Sequence, residues 1–142
     1  MDRRYFLVIG ILAILLATGC MQGEPKISVH DAYFIVSPME PDAISIFMNI
    51  ENRGGADNLI SAKIKEFPNA RVELHDVAEG MMLKVDKIEI PAKKIRQLKM
   101  GSYHIMAFGI EDPGEEITVV LNFEKSSDIE VKAKYSKMQM QM

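Results

Sequence analysis

Two histidines in this chain lie close to methionines: His75 precedes Met81 and Met82, and His104 is followed by Met106. On a β-strand, residues two apart project from the same face at a separation of roughly 6.6 Å. His104 and Met106 can therefore converge on one point if Ile105 faces the core. Imidazole nitrogen and thioether sulfur are borderline and soft donors that suit Cu(I), whereas Ca²⁺ and Mg²⁺ demand clusters of oxygen ligands. A thioether has no proton to lose and forms no disulfide, so it can hold Cu(I) in an oxidising or mildly acidic compartment where thiols are vulnerable. The competing reading starts from abundance: eleven of the 142 residues are methionine, and methionine commonly fills irregular gaps in a core. Met48, inside an apolar run, reads as core. Met106 or His104 taken singly is more often structural than liganding, and it is the pairing that favours a site. His30, between Val29 and Asp31, reads as a surface residue. Met138, Met140 and Met142 are open to two readings, an accessory soft-metal tail or a plain frayed end.

The elements that position these residues are short. From Ile27 onward, β-branched and apolar runs are punctuated by turn residues about every eight to twelve positions, the pattern of an antiparallel sandwich or barrel. The runs are Ile27–Val36, Ala43–Glu51, Leu59–Lys65, Arg71–Asp76, Met82–Ile90, Ile95–Lys99, His104–Phe108, Glu116–Phe123 and Ile129–Tyr135. Between them stand Pro38 and Pro41, Gly54-Gly55, Pro68-Asn69, Glu79-Gly80, Pro91, Gly101, Asp112-Pro113-Gly114 and Ser126-Ser127-Asp128. No linker or internal repeat divides the region, so residues 27–135 are expected to form one all-β domain, with residues 136–142 as a methionine-rich tail.

The first residues read as an address. Arg3 and Arg4 precede an apolar run, Tyr5 to Ala17, too short to span a bilayer core of roughly 30 Å but suited to the apolar region of a signal peptide. Leu16-Ala17-Thr18-Gly19-Cys20 resembles a lipobox, in which small residues admit the signal peptidase and the cysteine is lipidated. The expectation is a signal peptide over residues 1–19, a lipidated Cys20, and a tether over residues 20–26. The mature domain is then exported and anchored on the outer face of the cytoplasmic membrane or in the periplasm. Arg3-Arg4-Tyr5-Phe6-Leu7 also resembles a twin-arginine export signal. Asp2, Arg3 and Arg4 contribute +1 of the formal net charge of −3, so the chain from Cys20 on carries about −4 and offers no basic surface for nucleic acid.

Around the histidines and methionines the chain resembles the PCuAC family of periplasmic copper chaperones. That family's signature is a histidine, a methionine some ten residues later, then twenty-one residues to His-x-Met. Here twenty-one residues, Leu83 to Tyr103, separate Met82 from His104-Ile105-Met106. Val72-Glu73-Leu74-His75, Ile88-Glu89-Ile90-Pro91-Ala92, Gly101-Ser102-Tyr103-His104 and Leu121-Asn122-Phe123-Glu124 resemble the family's segments in the same order. Only six residues, Asp76 to Met81, separate His75 from Met82, so the intervening loop is shorter than the family's, and Met81 is a candidate to replace Met82. The resemblance implies a cupredoxin-like Greek-key β-sandwich. It implies a Cu(I) site near the surface built from His75, Met82, His104 and Met106, ligands that as exposed residues would contribute little to the core. It also implies delivery of copper to the copper-centre subunit of a haem–copper oxidase, together with a Sco-type protein.

Other classes fit the residues less well. A blue-copper electron carrier needs a cysteine thiolate in its metal site, and the sole cysteine, Cys20, lies in the signal region. A zinc hydrolase using His75 and His104 would need a third nitrogen or oxygen ligand, with Asp76 the near candidate, and would leave the methionines unexplained. No nucleophile with a base is evident, so no enzyme is expected. Copper storage or detoxification, and a metal-free extracytoplasmic interaction lipoprotein, remain as alternatives.

Overall fold

The structure is a computed structural model and describes residues 23–137; Cys20, Met138, Met140 and Met142 lie outside the described residues. Ten strands follow one another: β1 (Ile27–Val36), β2 (Ala43–Asn52), β3 (Asp57–Ile64), β4 (Arg71–Ala78), β5 (Met81–Val85), β6 (Ile88–Ile90), β7 (Lys94–Leu98), β8 (His104–Phe108), β9 (Glu116–Phe123) and β10 (Ile129–Tyr135). They form one continuous sheet in the order β5-β4-β8-β2-β1-β10-β9-β3-β6, with β7 pairing the end of β2. The ribbon folds over itself into the expected cupredoxin-like sandwich. Ile44, Ile46, Met48 and Ile50 of β2 face the core from one side, and Ile117, Val119, Leu121 and Phe123 of β9 from the other. Met48 is 1% exposed, as its apolar surroundings predict.

Two features depart from the sequence expectation. The single run Met82–Ile90 is two strands. Apolar alternation at Leu83 and Val85 changes phase to Ile88 and Ile90 across Asp86-Lys87. At that break the chain leaves β4, which pairs β5, and crosses to β3, which pairs β6. A continuous strand cannot keep a buried face through a one-residue phase slip. The sheet is also not wholly antiparallel, because β1 and β10 run parallel, with Tyr33 opposite Lys134 and Phe34 opposite Tyr135.

β2 is the spine. Its first half pairs β8, placing Ser45 opposite Met106 and Ile46 opposite Ile105, and its second half pairs β7. At the end of β2 the buried Asn52 binds five backbone groups. Its Oδ1 accepts from the N–H groups of Lys26 and Gly54, at 3.1 and 3.0 Å, and its Nδ2 donates to the carbonyls of Gly55, Ile90 and Pro91. The last part of the expected tether is therefore held against the domain. The Arg53 N–H donates to the Lys26 carbonyl at 3.0 Å and the Gly55 N–H to the Glu24 carbonyl at 3.1 Å. A Cβ at Gly54 would lie 2.0 Å from the Glu24 carbonyl oxygen and 2.7 Å from the Lys26 nitrogen, both backbone atoms. Gly54→Ala is expected to lose about 2 kcal/mol or more of stability through this overlap and to expose the amides of Arg53 and Gly55 to hydrogen exchange. Unchanged protection of those amides would refute the close approach.

Candidate metal centre

The histidines meet on the outer face of the sheet, where β4 pairs β8. His75 lies directly opposite His104, and Glu73 opposite Met106. Ile105, between His104 and Met106, is fully buried in the core, so the alternation required for His104 and Met106 to share a face is present. Their ring centroids place the two imidazoles 5.5 Å apart at 66°. Phe47 of β2 lies 6.0 Å from His104 on one side, and Phe108 lies 6.5 Å from His75 on the other. This aromatic row fixes the rings by packing rather than by a covalent constraint.

The hydrogen bonds assign the tautomers. His104 Nδ1 lies 2.8 Å from the Ser102 carbonyl, which can only accept, so Nδ1 carries the proton and Nε2 is left with its lone pair. His75 Nε2 lies 2.8 Å from a Glu73 carboxylate oxygen, which can only accept, so in the neutral ring Nε2 carries the proton and Nδ1 holds the lone pair. That Nδ1 is buried and has no hydrogen-bond partner. An unsatisfied buried acceptor costs about 1–3 kcal/mol, and a bound cation would satisfy it. A carboxylate behind a histidine is also the arrangement that orients a metal-binding imidazole and raises its basicity. Burial, with the neighbouring His75 ring adding to it, lowers the pKa of His104 against the raising effects of the Ser102 carbonyl and Asp76. The ring is thus kept neutral. Glu73 is held below the usual carboxylate range, first by its bond to His75 and then by Arg71 and Lys84, against the raising effect of burial.

Met82, His104 and Met106 line one cleft of about 340 Å³, together with Met39, Phe47 and Met100. His75 stands beside His104 and is not among the residues lining that cleft. The short loop before Met82 is a two-residue hairpin in which Glu79 and Gly80 both have positive φ, 53° and 77°, the combination of a type I′ turn. It sets Met82 opposite Val77 and Met81 opposite Ala78. Since alternate residues of a strand face opposite ways, Met82 shares the face of His75 and Val77, and Met81 points to the other face. Of the two methionines it is Met82 that reaches the cleft.

Burial differs from the expectation of exposed ligands. His75, His104 and Met106 are 8%, 4% and 5% exposed, and of the four only Met82, at 58%, is exposed. The loop after β1 and the turn before β8 line the same cleft as His104 and Met106, so these two side chains are packed as well as placed on the outer face. Those same segments supply the two thioethers that the sequence reading missed. Met39 is held by an N–H bond to Ser37 Oγ, and Met100 precedes Gly101, whose φ of 79° closes the turn. Both are exposed, at 87% and 58%, and a signal was available: each sits in a turn, where no core needs filling. Asp76 does not complete a zinc-type set. Its carboxylate bonds the Val77 N–H, and among the described residues no group of three His, Cys, Asp or Glu side chains surrounds one point. His30 is exposed and bonds Glu51, in keeping with its reading as a surface residue.

The family model described as "Putative lipoprotein LpqE-like" matches residues 27–135. None of the curated proteins matches the sequence significantly. Among solved structures, the copper-bound PCuAC domain from PmoF2 superposes with a TM-score of 0.67 at 21% identity, covering 79% of this chain and 93% of that one. The apo PCuAC domain from PmoF1 gives 0.66 at 21% identity, covering 79% and 94%. Apo-DR1885 from Deinococcus radiodurans gives 0.55 at 19% identity, covering 87% and 89%. At these identities the likeness establishes a shared fold.

Proposed function

The chain belongs to the LpqE-like lipoprotein family, and from that premise and the His/Met cleft we propose that it is an exported, lipid-anchored Cu(I) chaperone. The observation that carries the reading is the orphaned Nδ1 of His75 beside a neutral His104 and two thioethers on the same face. Two imidazole lone pairs and two thioethers form a donor set that favours Cu(I) and lacks the thiolate an electron-transfer site requires. The fold shared with a copper-bound PCuAC domain supports the same ion. His75, Met82, His104 and Met106 are the ligands, with Met39 and Met100 at the rim. Cys20 carries the lipid, which the family's lipoprotein description supports.

The proposed cycle is ligand exchange without electron transfer. Cu(I) enters over the exposed thioethers, is held by the two imidazoles, and leaves when donors of an acceptor replace the thioethers one at a time. By the family resemblance the acceptor is the copper-centre subunit of a haem–copper oxidase or a Sco-type protein.

The test is an anaerobic competition titration of residues 21–142 against a chromogenic Cu(I) chelator. One tightly held ion supports the reading, and no competition would leave the metal-free interaction lipoprotein in its place. Glu73→Gln keeps the size of the side chain but weakens the charge on the His75 N–H. It is expected to lower Cu(I) affinity by about 10- to 100-fold, read in the same titration, with an unchanged affinity counting against His75 as a ligand.

A further inference from the structure

The way the domain meets its anchor fixes which end faces the membrane. Glu24, Pro25 and Lys26 are bound to Asn52, Arg53 and Gly55 by backbone and amide hydrogen bonds, and they pack directly on Gly54, where a Cβ would not fit. Three residues, Met21 to Gly23, separate Cys20 from Glu24. Four chain steps reach at most about 15 Å, so a lipid on Cys20 holds this end of the sandwich against the headgroups.

One side of this end is basic. Lys26, Arg53, Lys93 and Lys94 are exposed there against Glu24 and Glu51, in a chain whose overall charge is −3, while the β9–β10 turn on the other side of Glu24 adds Lys125 with Glu124 and Asp128. Glu51 pairs with Arg53 and bonds His30, so Lys26, Lys93 and Lys94 carry most of the positive charge. Exposed Ile95 stands beside them at 58%. Attraction to anionic lipid fades within about 8 Å at physiological ionic strength, so it acts on this end and not on the rest of the domain.

We propose that the surface around Lys26, Arg53, Lys93 and Lys94 docks on anionic phospholipid headgroups, so that β1 and β2 stand up from the membrane. This rests on the lipid-anchor reading of Cys20. From Asn52, opposite Ile27, to Phe47 beside His104, β2 rises five residues while β1 carries one extra in a bulge between His30 and Tyr33, a rise of about 17 Å. The metal cleft lies on the outer face of this upright sheet. It therefore opens sideways, about 17 Å above the headgroups, toward a partner standing on the same membrane. With three residues between Cys20 and Glu24, the far end of the sandwich cannot take the place of this one at the headgroups.

The test uses the full chain, lipidated on Cys20, in vesicles of phosphatidylcholine with or without phosphatidylglycerol, doped with a lipid that carries gadolinium on its headgroup. Nitroxides are placed at Ala92→Cys, beside Lys26 and Gly54, and at Glu40→Cys, on the loop beyond the far end of β1. Relaxation enhancement is expected to be about tenfold greater at 92 than at 40, because the length of a strand, roughly 30 Å, separates them. A flexible insert of about twenty Gly/Ser residues between Gly23 and Glu24 should erase the difference. The pair Lys26→Glu and Lys94→Glu should reduce the enhancement at 92 in anionic vesicles to its value in neutral ones. Equal enhancement at 92 and 40 in bound protein overturns the orientation, and identical behaviour in neutral and anionic vesicles overturns the headgroup contact. Failure of the chain to float with vesicles overturns the anchor itself. None of these readouts depends on copper.

Discussion

Met106→Leu is expected to lower Cu(I) affinity by about 100-fold or more, since even residues that only orient a ligand cost 10- to 100-fold. It should leave the fold almost unchanged. Leucine replaces methionine with nearly conserved volume, at a cost usually below about 1.5 kcal/mol in a packed site, and the site matters because Met106 is only 5% exposed. Alanine would be the poorer probe. It would open a cavity in a buried position and lose about 2–5 kcal/mol, so that lost binding and lost structure could not be separated. Met48→Leu supplies the control, because Met48 is also buried but lies in the core between the two layers of the folded sheet. Competition titration beside a denaturant midpoint reads both quantities. If Met106→Leu and Met48→Leu bind Cu(I) alike, Met106 is a packing residue and the site assignment fails. Met82→Leu should behave as Met106→Leu does for copper with still less effect on stability, since Met82 is 58% exposed.

That design depends on what the sequence could and could not disclose. The pairing of His104 with Met106 was legible because a strand alternates by necessity, and Ile105 between them could only be core. The turn at Glu79-Gly80 was legible from residue type, but its consequence was not. A two-residue hairpin aligns Val77 with Met82, and this register decides that Met82 rather than Met81 joins the histidines. Pairing of His75 with His104 joins residues twenty-nine positions apart in sequence, and no local pattern encodes it. The burial of His104 has the same origin, since the β1–β2 and β7–β8 connections line its cleft. The break between β5 and β6 was written in the phase change at Asp86-Lys87, whereas the parallel pairing of β1 with β10 depends on the closure of the whole fold.

Asp57→Ala is expected to cost about 3 kcal/mol, since each buried donor it strands costs about 1–3 kcal/mol, while leaving the proposed copper site intact. Asp57 is 3% exposed at the start of β3. Its Oδ1 accepts the N–H groups of Asn58 and Lys125 at 2.8 and 2.9 Å, and its Oδ2 accepts the N–H and hydroxyl of Ser126 at 3.0 and 2.6 Å. Burial raises its pKa, but the four hydrogen bonds favour the anion more strongly, and the net shift is downward. The direction sets the pH dependence. An unfolded aspartate titrates near about 3.9, so this stabilisation is complete above that pH and is lost as the pH falls through the lower folded value. Asp57→Asn cannot lose a proton, so the gap in unfolding free energy between wild type and Asp57→Asn should narrow as the pH falls below roughly 4. A constant gap would mean that the charge of Asp57 contributes nothing beyond its shape. Asp57 joins the β9–β10 turn to the Asn52 end of the sandwich, and none of its partners lines the metal cleft. Cu(I) affinity at neutral pH should therefore stay within about threefold of wild type for Asp57→Asn, as expected for distant sites without shared partners.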